Sequence, residues 1–305
     1  MSANVGGLMP ILATPFEGNG ALDLPGLRRI VEFQVESGVD AVAVFGMASE
    51  GFALTTAERR EILAETVEVL GGALPIVAGI NGTSTATAIE QIREAELGGA
   101  DVLMVIPPYM VKPPAGTLVE FYGALAAATA LPIMVQDAPV MTGVAMSPSV
   151  IADLARIDGI TSVKVEAPPT LPKIDLVVRA TQDLDFIVVG GQNAQFCLDE
   201  YEKGSVGTMP ACEFSDLLNE VLGLWTRGNR EDARLGFQRL LPLILFGLQS
   251  GIAWAVHKEV LAARGLIENT YVRYPSSRLD SSSRISLAAI LDRLQLPSLS
   301  RPVAL

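Results

Sequence analysis

ITSVKVEAPP, residues 160–169, is a short apolar run closed by two prolines. Ile160, Val163 and Val165 are β-branched, and the run reads as a buried strand. Lys164 stands in its middle. Burying an ammonium costs free energy unless it is paired or gives up its proton. Two readings are open: a lysine whose head reaches solvent from the strand end, or an amine held in a dry pocket for covalent chemistry with a carbonyl.

Seven similar runs flank this one: MPILATPF (9–16), DAVAVFG (40–46), LPIVAGI (74–80), DVLMVIPP (101–108), LPIMVQDAP (131–139), DFIVVGG (185–191) and GSVGTMPA (204–211). Each is nearly continuous in its apolar character, as parallel strands covered by helices are. Helical patterns lie between them. DLPGLRRIVEFQVESG (23–38) offers Asp23 as N-cap and Gly38 as a stop, and LTTAERREILAETVEVLGG (54–72) opens with Thr55 and Glu58 at capping-box spacing. TSTATAIEQIREAELGGA (83–100) closes on Gly98 and Gly99. Eight such alternations predict an α/β fold, a (β/α)8 TIM barrel. A doubly wound open sheet is the alternative, but no G-x-G-x-x-G follows the first strand. From Asn229 the pattern is helical only, which predicts a barrel over 1–228 and a helical extension over 229–305 packed beside it. Tyr274, Pro275 and the serine-rich stretch before Arg284 read as loop.

The 305 residues are 50% hydrophobic and 18% charged, ample for a large core, and carry a net charge of −12. No Lys/Arg cluster breaks that acidity, so no nucleic-acid partner is expected. Two cysteines, Cys197 and Cys212, make no disulfide framework and point to a reducing, cytoplasmic setting. The opening MSANVGGLMPILATPF lacks a basic region before its apolar stretch, so no secretion signal is expected. LLPLILFGLQSGIAWAV (240–256) is short for a membrane span and interrupted by Pro242, Gly247 and Gly251, so no membrane partner is expected either. The single histidine, His257, excludes a multi-histidine metal site, and a structural role is expected for it.

In a (β/α)8 barrel the chemistry sits at the C-terminal ends of the strands. That rule selects Thr14, Ser49 and Glu50, Tyr109, Gln136 and Asp137, Lys164 and Glu166, Gly191, Gln192 and Asn193, and Cys212 and Glu213. Lys164 is then an amine at the working face of an apolar barrel. Glu166, two residues on, points to the same side. Each of the others has a plainer reading: Glu50 orienting its loop, Asp137 capping a turn, Tyr109 packing at the rim, Cys212 filling core.

Taken in order, these segments resemble the dihydrodipicolinate synthase / N-acetylneuraminate lyase family. ILATPF is similar to its opening, and GMASEGFALTTAERREIL (46–63) to its Gly-Thr-Thr-Gly-Glu segment. PPYMVKP (107–113) is similar to its Pro-Pro-Tyr-Tyr-x-x-Pro, DAPVMTG (137–143) to Asn-x-Pro-x-x-Thr-Gly, SVKVEA to the Schiff-base strand, and KGSVGTMPA to Gly-x-x-Gly-x-x-Ser/Thr. The resemblance implies a lyase, aldolase or dehydratase that binds pyruvate or another 2-keto acid through Lys164, with an aldehyde as second substrate in the aldolase case. It also implies a homo-oligomer, tetramer or dimer, and neither metal nor organic cofactor. The catalytic set it implies is Lys164, Gln136 and Tyr109. Around them Met47, Ala48, Ser49, Glu50, Asp137, Met141, Glu166, Gly191 and Gln192 would contact substrate. The chain also departs from the family. Its threonine pair falls on Met47 and Ala48, its second tyrosine on Met110, its strand-five tyrosine on Gln136, and the arginine of lysine-pathway synthases on Met141. The Thr-Tyr-Tyr proton relay is therefore read as missing, and an amide cannot titrate in its place. Two other readings stand beside the lyase: a binding-only relative on the same scaffold, and a lyase using Glu50, Asp137 and Glu166 around Mg²⁺.

Overall fold

The computed structural model describes residues 5–299, so the start of the opening stretch and the end of the 229–305 segment lie outside them. Eight strands, β1 (Gly7–Leu8), β2 (Val42–Val44), β3 (Ile76–Ile80), β4 (Val102–Val105), β5 (Ile133–Asp137), β6 (Ile160–Val165), β7 (Ile187–Gly190) and β8 (Gly207–Thr208), pair in parallel. Their order, β1-β8-β7-β6-β5-β4-β3-β2, is that of a curled sheet. Ile11 closes the ring by bridging Ala43 and Ala211, with Leu12 N–H donating to Ala43 O at 2.8 Å. The barrel is as expected, but its first strand, Gly7–Leu8, precedes the MPILATPF run on which it was expected. Regular pairing stops at Leu8 because Pro10 has no N–H to give, and only the bridge at Ile11 continues it.

Two apolar layers follow from strand alternation. Ala43, Val77, Met104, Met134, Val189 and Met209 fill the barrel, while Val44, Ala78, Val135, Val163 and Val165 pack outward under the helices. Strand β6 departs from strict alternation once. Ile133 pairs with Ile160, but Met134 pairs with Ser162, so Thr161 is an extra residue in the ladder.

The local signals act as their chemistry predicts. Asp23 accepts from the Gly26 N–H at 2.8 Å, and Thr55 and Glu58 form a reciprocal capping box on helix Thr56–Leu70. Beyond the barrel helix Ser215–Thr226 come Arg230–Phe246, Ala253–Ala263 and Ser281–Leu294. The last begins earlier than expected. Asp280 accepts from the Ser283 N–H at 2.7 Å, and the serines read as loop form its first turn. Among the described residues no helix is long and apolar enough to cross a membrane.

The extension is tied into the barrel by charge. Arg273 reaches Glu58 at 2.5 Å, the Ala53 carbonyl at 2.9 Å and the Gly20 carbonyl at 2.8 Å. Lys258, 1% exposed, is ion-paired to Glu50, which is fully buried, and it donates to the Tyr271 carbonyl at 2.7 Å.

Candidate active site

The extra residue in β6 sets the register that matters. It brings Lys164 level with Gln136 on β5 and Val189 on β7, and turns the lysine side chain into the barrel. Lys164 is 1% exposed, and its Nζ lies 3.2 Å from Glu166 Oε1. The two-residue spacing puts both groups on one side. Gln136 Nε2 donates to Glu166 Oε2 at 2.6 Å, and the Gln192 N–H donates to Oε1 at 3.1 Å. The Gln192 side chain donates to the Glu166 carbonyl at 3.0 Å. Both oxygens of Glu166 are thus held while one also faces the lysine.

Gly191 makes this packing possible. A Cβ there would stand 2.5 Å from Glu166 Cγ and 2.6 Å from Oε1, so any side chain would push the carboxylate away. The backbone then passes through three left-handed residues, Gln192, Asn193 and Ala194, at φ 47°, 54° and 61°. Side-chain-bearing residues adopt this region at a cost, and it persists where surroundings enforce it. Here Asn193 supplies the enforcement, accepting from the Ala211 N–H at 2.9 Å and donating to the Ile244 carbonyl at 3.2 Å.

Lys164 and Glu166 open into a cavity of about 490 Å³. Gln192 and Met209 of the barrel, Met47 and Ala48 of the β2 loop, and Met141 of the segment after β5 line it. Trp254 and His257 of helix Ala253–Ala263 complete the wall. The Trp254 indole donates to the Met47 carbonyl at 2.5 Å, which locks that helix to the β2 loop. The C-terminal helices therefore build part of the mouth as well as packing beside the barrel. A smaller recess of about 150 Å³ adjoins, sharing Met47 and Met141 and holding Tyr109 and Gln136.

The structure does not bring all the expected residues to these walls. Asp137 follows Gln136 in the strand and so faces outward, 2.9 Å from Lys173 Nζ; burial raises its carboxyl above the ordinary range, against the pull of that ammonium. Glu50 is enclosed beneath its loop, with Lys258 on one oxygen and the Arg273 N–H on the other at 2.8 Å. Ser49 is buried, and its carbonyl accepts from Thr14 Oγ1 at 2.7 Å; neither cavity wall includes it. Met110 is 76% exposed and outside both walls. Cys212 accepts from the Ala13 N–H through Sγ, and burial pushes its thiol up to about 12. Among the described residues no three His, Cys, Asp or Glu side chains gather as metal ligands; Glu50, Asp137 and Glu166 are each engaged separately.

Sequence reasoning placed His257 in a structural role and so passed over a titratable group of this wall. Its Nδ1 is 2.7 Å from Glu213 Oε1. The signal was the three-residue spacing of Trp254 and His257, which puts both on one helix face.

Comparison with known proteins accords with this geometry. The family model described as the dihydrodipicolinate synthetase family matches residues 4–294. L-2-keto-3-deoxyarabonate dehydratase of Azospirillum brasilense is 32% identical over 293 residues, covering 94% of each chain. The 4-hydroxy-tetrahydrodipicolinate synthase of Methylococcus capsulatus is 32% identical over 286 residues, covering 91% of this chain and 94% of that one. The crystal structure of the chloride-inhibited dihydrodipicolinate synthase from Acinetobacter baumannii, complexed with pyruvate, superposes with a TM-score of 0.90 at 25% identity, over 96% of this chain and 99% of that chain.

Proposed function

The chain belongs to the dihydrodipicolinate synthetase family of lyase-type enzymes, and from that premise we propose that it is a Schiff-base-forming dehydratase of a 2-keto-3-deoxy sugar acid. The observation that carries the reading is Glu166, 3.2 Å from the Lys164 amine and held in place by the Gln136 amide. A carboxylate fixed beside the amine supplies the acid–base group that the substituted relay positions do not.

The steps balance without a cofactor. Lys164 Nζ attacks the C2 carbonyl carbon, the carbonyl oxygen leaves as water, and an iminium forms. Glu166 removes a proton from C3, and the electron pair moves to nitrogen as an enamine. The enamine pushes out the C4 hydroxyl, giving a C3=C4 double bond and a conjugated iminium. Water then releases an unsaturated 2-keto acid and the free amine. Elimination suits this mouth better than addition of a carboxylated aldehyde, because Met47 and Met141 offer no charge to a second carboxylate. The dehydratase of Azospirillum brasilense, whose named substrate is a 2-keto-3-deoxy acid, is similar over nearly the whole chain. In the same reading the protein is a cytoplasmic homo-oligomer, with 1–228 as barrel and 229–305 as extension.

Borohydride reduction in the presence of pyruvate or 2-keto-3-deoxyarabonate tests it. Intact mass should rise by the ligand, on the peptide carrying Lys164. Label on Lys173 or Lys112 would overturn the assignment, binding without turnover would mark a binding-only relative, and loss of activity on chelation, restored by Mg²⁺, would mark the carboxylate–metal lyase.

A further inference from the structure

We infer that His257 is the acid that protonates the departing C4 hydroxyl, with Glu213 as its positioning residue; this rests on the dehydratase reading above. Both belong to one buried pair. His257 is 5% exposed, Glu213 is 1% exposed, and Nδ1 and Oε1 are 2.7 Å apart. A carboxylate only accepts, so Nδ1 carries the donated hydrogen. That fixes the ring and leaves Nε2 as its free end, and no hydrogen bond among the described residues occupies it.

The surroundings aim the ring. Its wall is the wall of the Lys164 cavity. Gly247 seats it, since a Cβ there would stand 3.0 Å from His257 Cε1. The Arg264 guanidinium holds the Glu213 main chain, donating to its carbonyl at 2.7 Å, and is itself paired with Asp216 at 2.6 Å. Among the described residues the other Glu213 oxygen has no hydrogen-bond partner, so the histidine is the sole partner of this carboxylate there. A buried carboxylate and imidazole are a costly way to fill space that a phenylalanine or leucine would fill.

The chemistry needs such a group. The departing oxygen takes the C4–O electron pair and would leave as hydroxide. In the protonated ring, Nε2–H gives its proton to that oxygen, water departs, and the ring recovers a proton from solvent through the open mouth. Glu166, already carrying the C3 proton, stands on the barrel wall, and His257 stands on the helix wall. The base and the acid of the elimination then come from different parts of the fold, one from the barrel and one from the C-terminal helices.

Two reactions separate this role from a structural one. Pyruvate, which has no leaving group, reports only iminium formation and C3 proton exchange with deuterated solvent. 2-Keto-3-deoxyarabonate reports elimination. His257→Gln should retain borohydride trapping and pyruvate exchange while its dehydration kcat falls roughly 10²–10⁴-fold. A 4-fluoro analogue, whose leaving group needs no proton, should restore turnover. Glu213→Gln should show the same pattern more mildly, and it serves as the second variant if His257→Gln does not fold. Dehydration at the parental rate in His257→Gln, or equal loss of exchange and dehydration in both variants, would overturn the inference. Failure of the unmodified protein to trap either keto acid would instead overturn the Schiff-base reading.

Discussion

Gln136 lies level with Lys164 on the neighbouring strand, yet its amide donates to Glu166, at 2.6 Å. A glutamine cannot shuttle a proton, but its amide fixes one oxygen of the Glu166 carboxylate. The other oxygen stays within 3.2 Å of the amine. In the proposed function the neutral side chain positions and the carboxylate carries the proton.

Glu166→Gln should leave borohydride trapping at Lys164 detectable while pyruvate exchange and dehydration both fall roughly 10²–10⁴-fold, the usual cost of losing a positioned acid–base group. Solvent exchange of the pyruvate methyl protons, followed by NMR, is the measurement. A variant that exchanges as fast as its parent would relieve Glu166 of the role.

With pyruvate and aspartate semialdehyde the protein should be a poor synthase. The positions that the family resemblance gives to the aldehyde carboxylate and the relay are Met141, Met47 and Gln136. The expected kcat/KM is below about 10⁴ M⁻¹s⁻¹, the low end of ordinary enzymes. Gln136→Tyr alone should not raise it to that range, since the positions that the resemblance gives to the other relay members hold Met47 and Met110. A coupled assay reaching it with either protein would contradict this.

Gly191→Ala should damage the site with a modest loss of stability. The added carbon would sit 2.5 Å from Glu166 Cγ, so either the carboxylate or the β7 loop must move. Overpacking of this kind costs about 1–3 kcal/mol. Urea unfolding reads the stability loss, and borohydride trapping rates read the displaced Glu166. A variant unchanged in both would mean that the loop yields freely.

Glu200 should make stability depend on pH. Thr170 Oγ1 donates to one of its oxygens at 2.7 Å, the other is buried without a partner, and burial raises its carboxyl from 4.5 to about 7. An acid raised on folding is protonated more readily in the native chain than in the unfolded one. Its stabilising contribution is full below the unfolded value and is lost as pH rises through about 7. Glu200→Gln mimics the protonated form, so it should flatten that loss. At about pH 8 it should be the more stable protein by on the order of 3 kcal/mol. Denaturant melts of both proteins at about pH 5 and about pH 8 decide it, and parallel pH dependences would refute it.

How much of this was legible in the chain depends on how local each cause is. The barrel could be read because its eight apolar runs are local, and Lys164 with Glu166 could be read because a spacing of two defines one strand face. The same alternation separates Gln136 from Asp137, which as neighbours cannot both look inward. Glu50 was not legible: its partner Lys258 lies 208 residues away. His257 was missed for the same reason, because only docking of the C-terminal helix brings it to Glu213 and the cavity. The first strand was placed too late, on a run whose two prolines interrupt regular pairing without changing its hydropathy.

Thr161 has a consequence beyond its own kink. Let Thr161 itself pair with Met134, so that the ladder runs without the bulge, and Lys164 falls level with Asp137 instead of Gln136. The amine would then be rotated out of the lumen into the shell of helices, beside Lys173, with no opening to a solute. The strand works like a reading frame. Amino-acid replacements along it can be absorbed one at a time, but a slip that irons out the bulge turns the Lys164 amine away from the cavity without touching it.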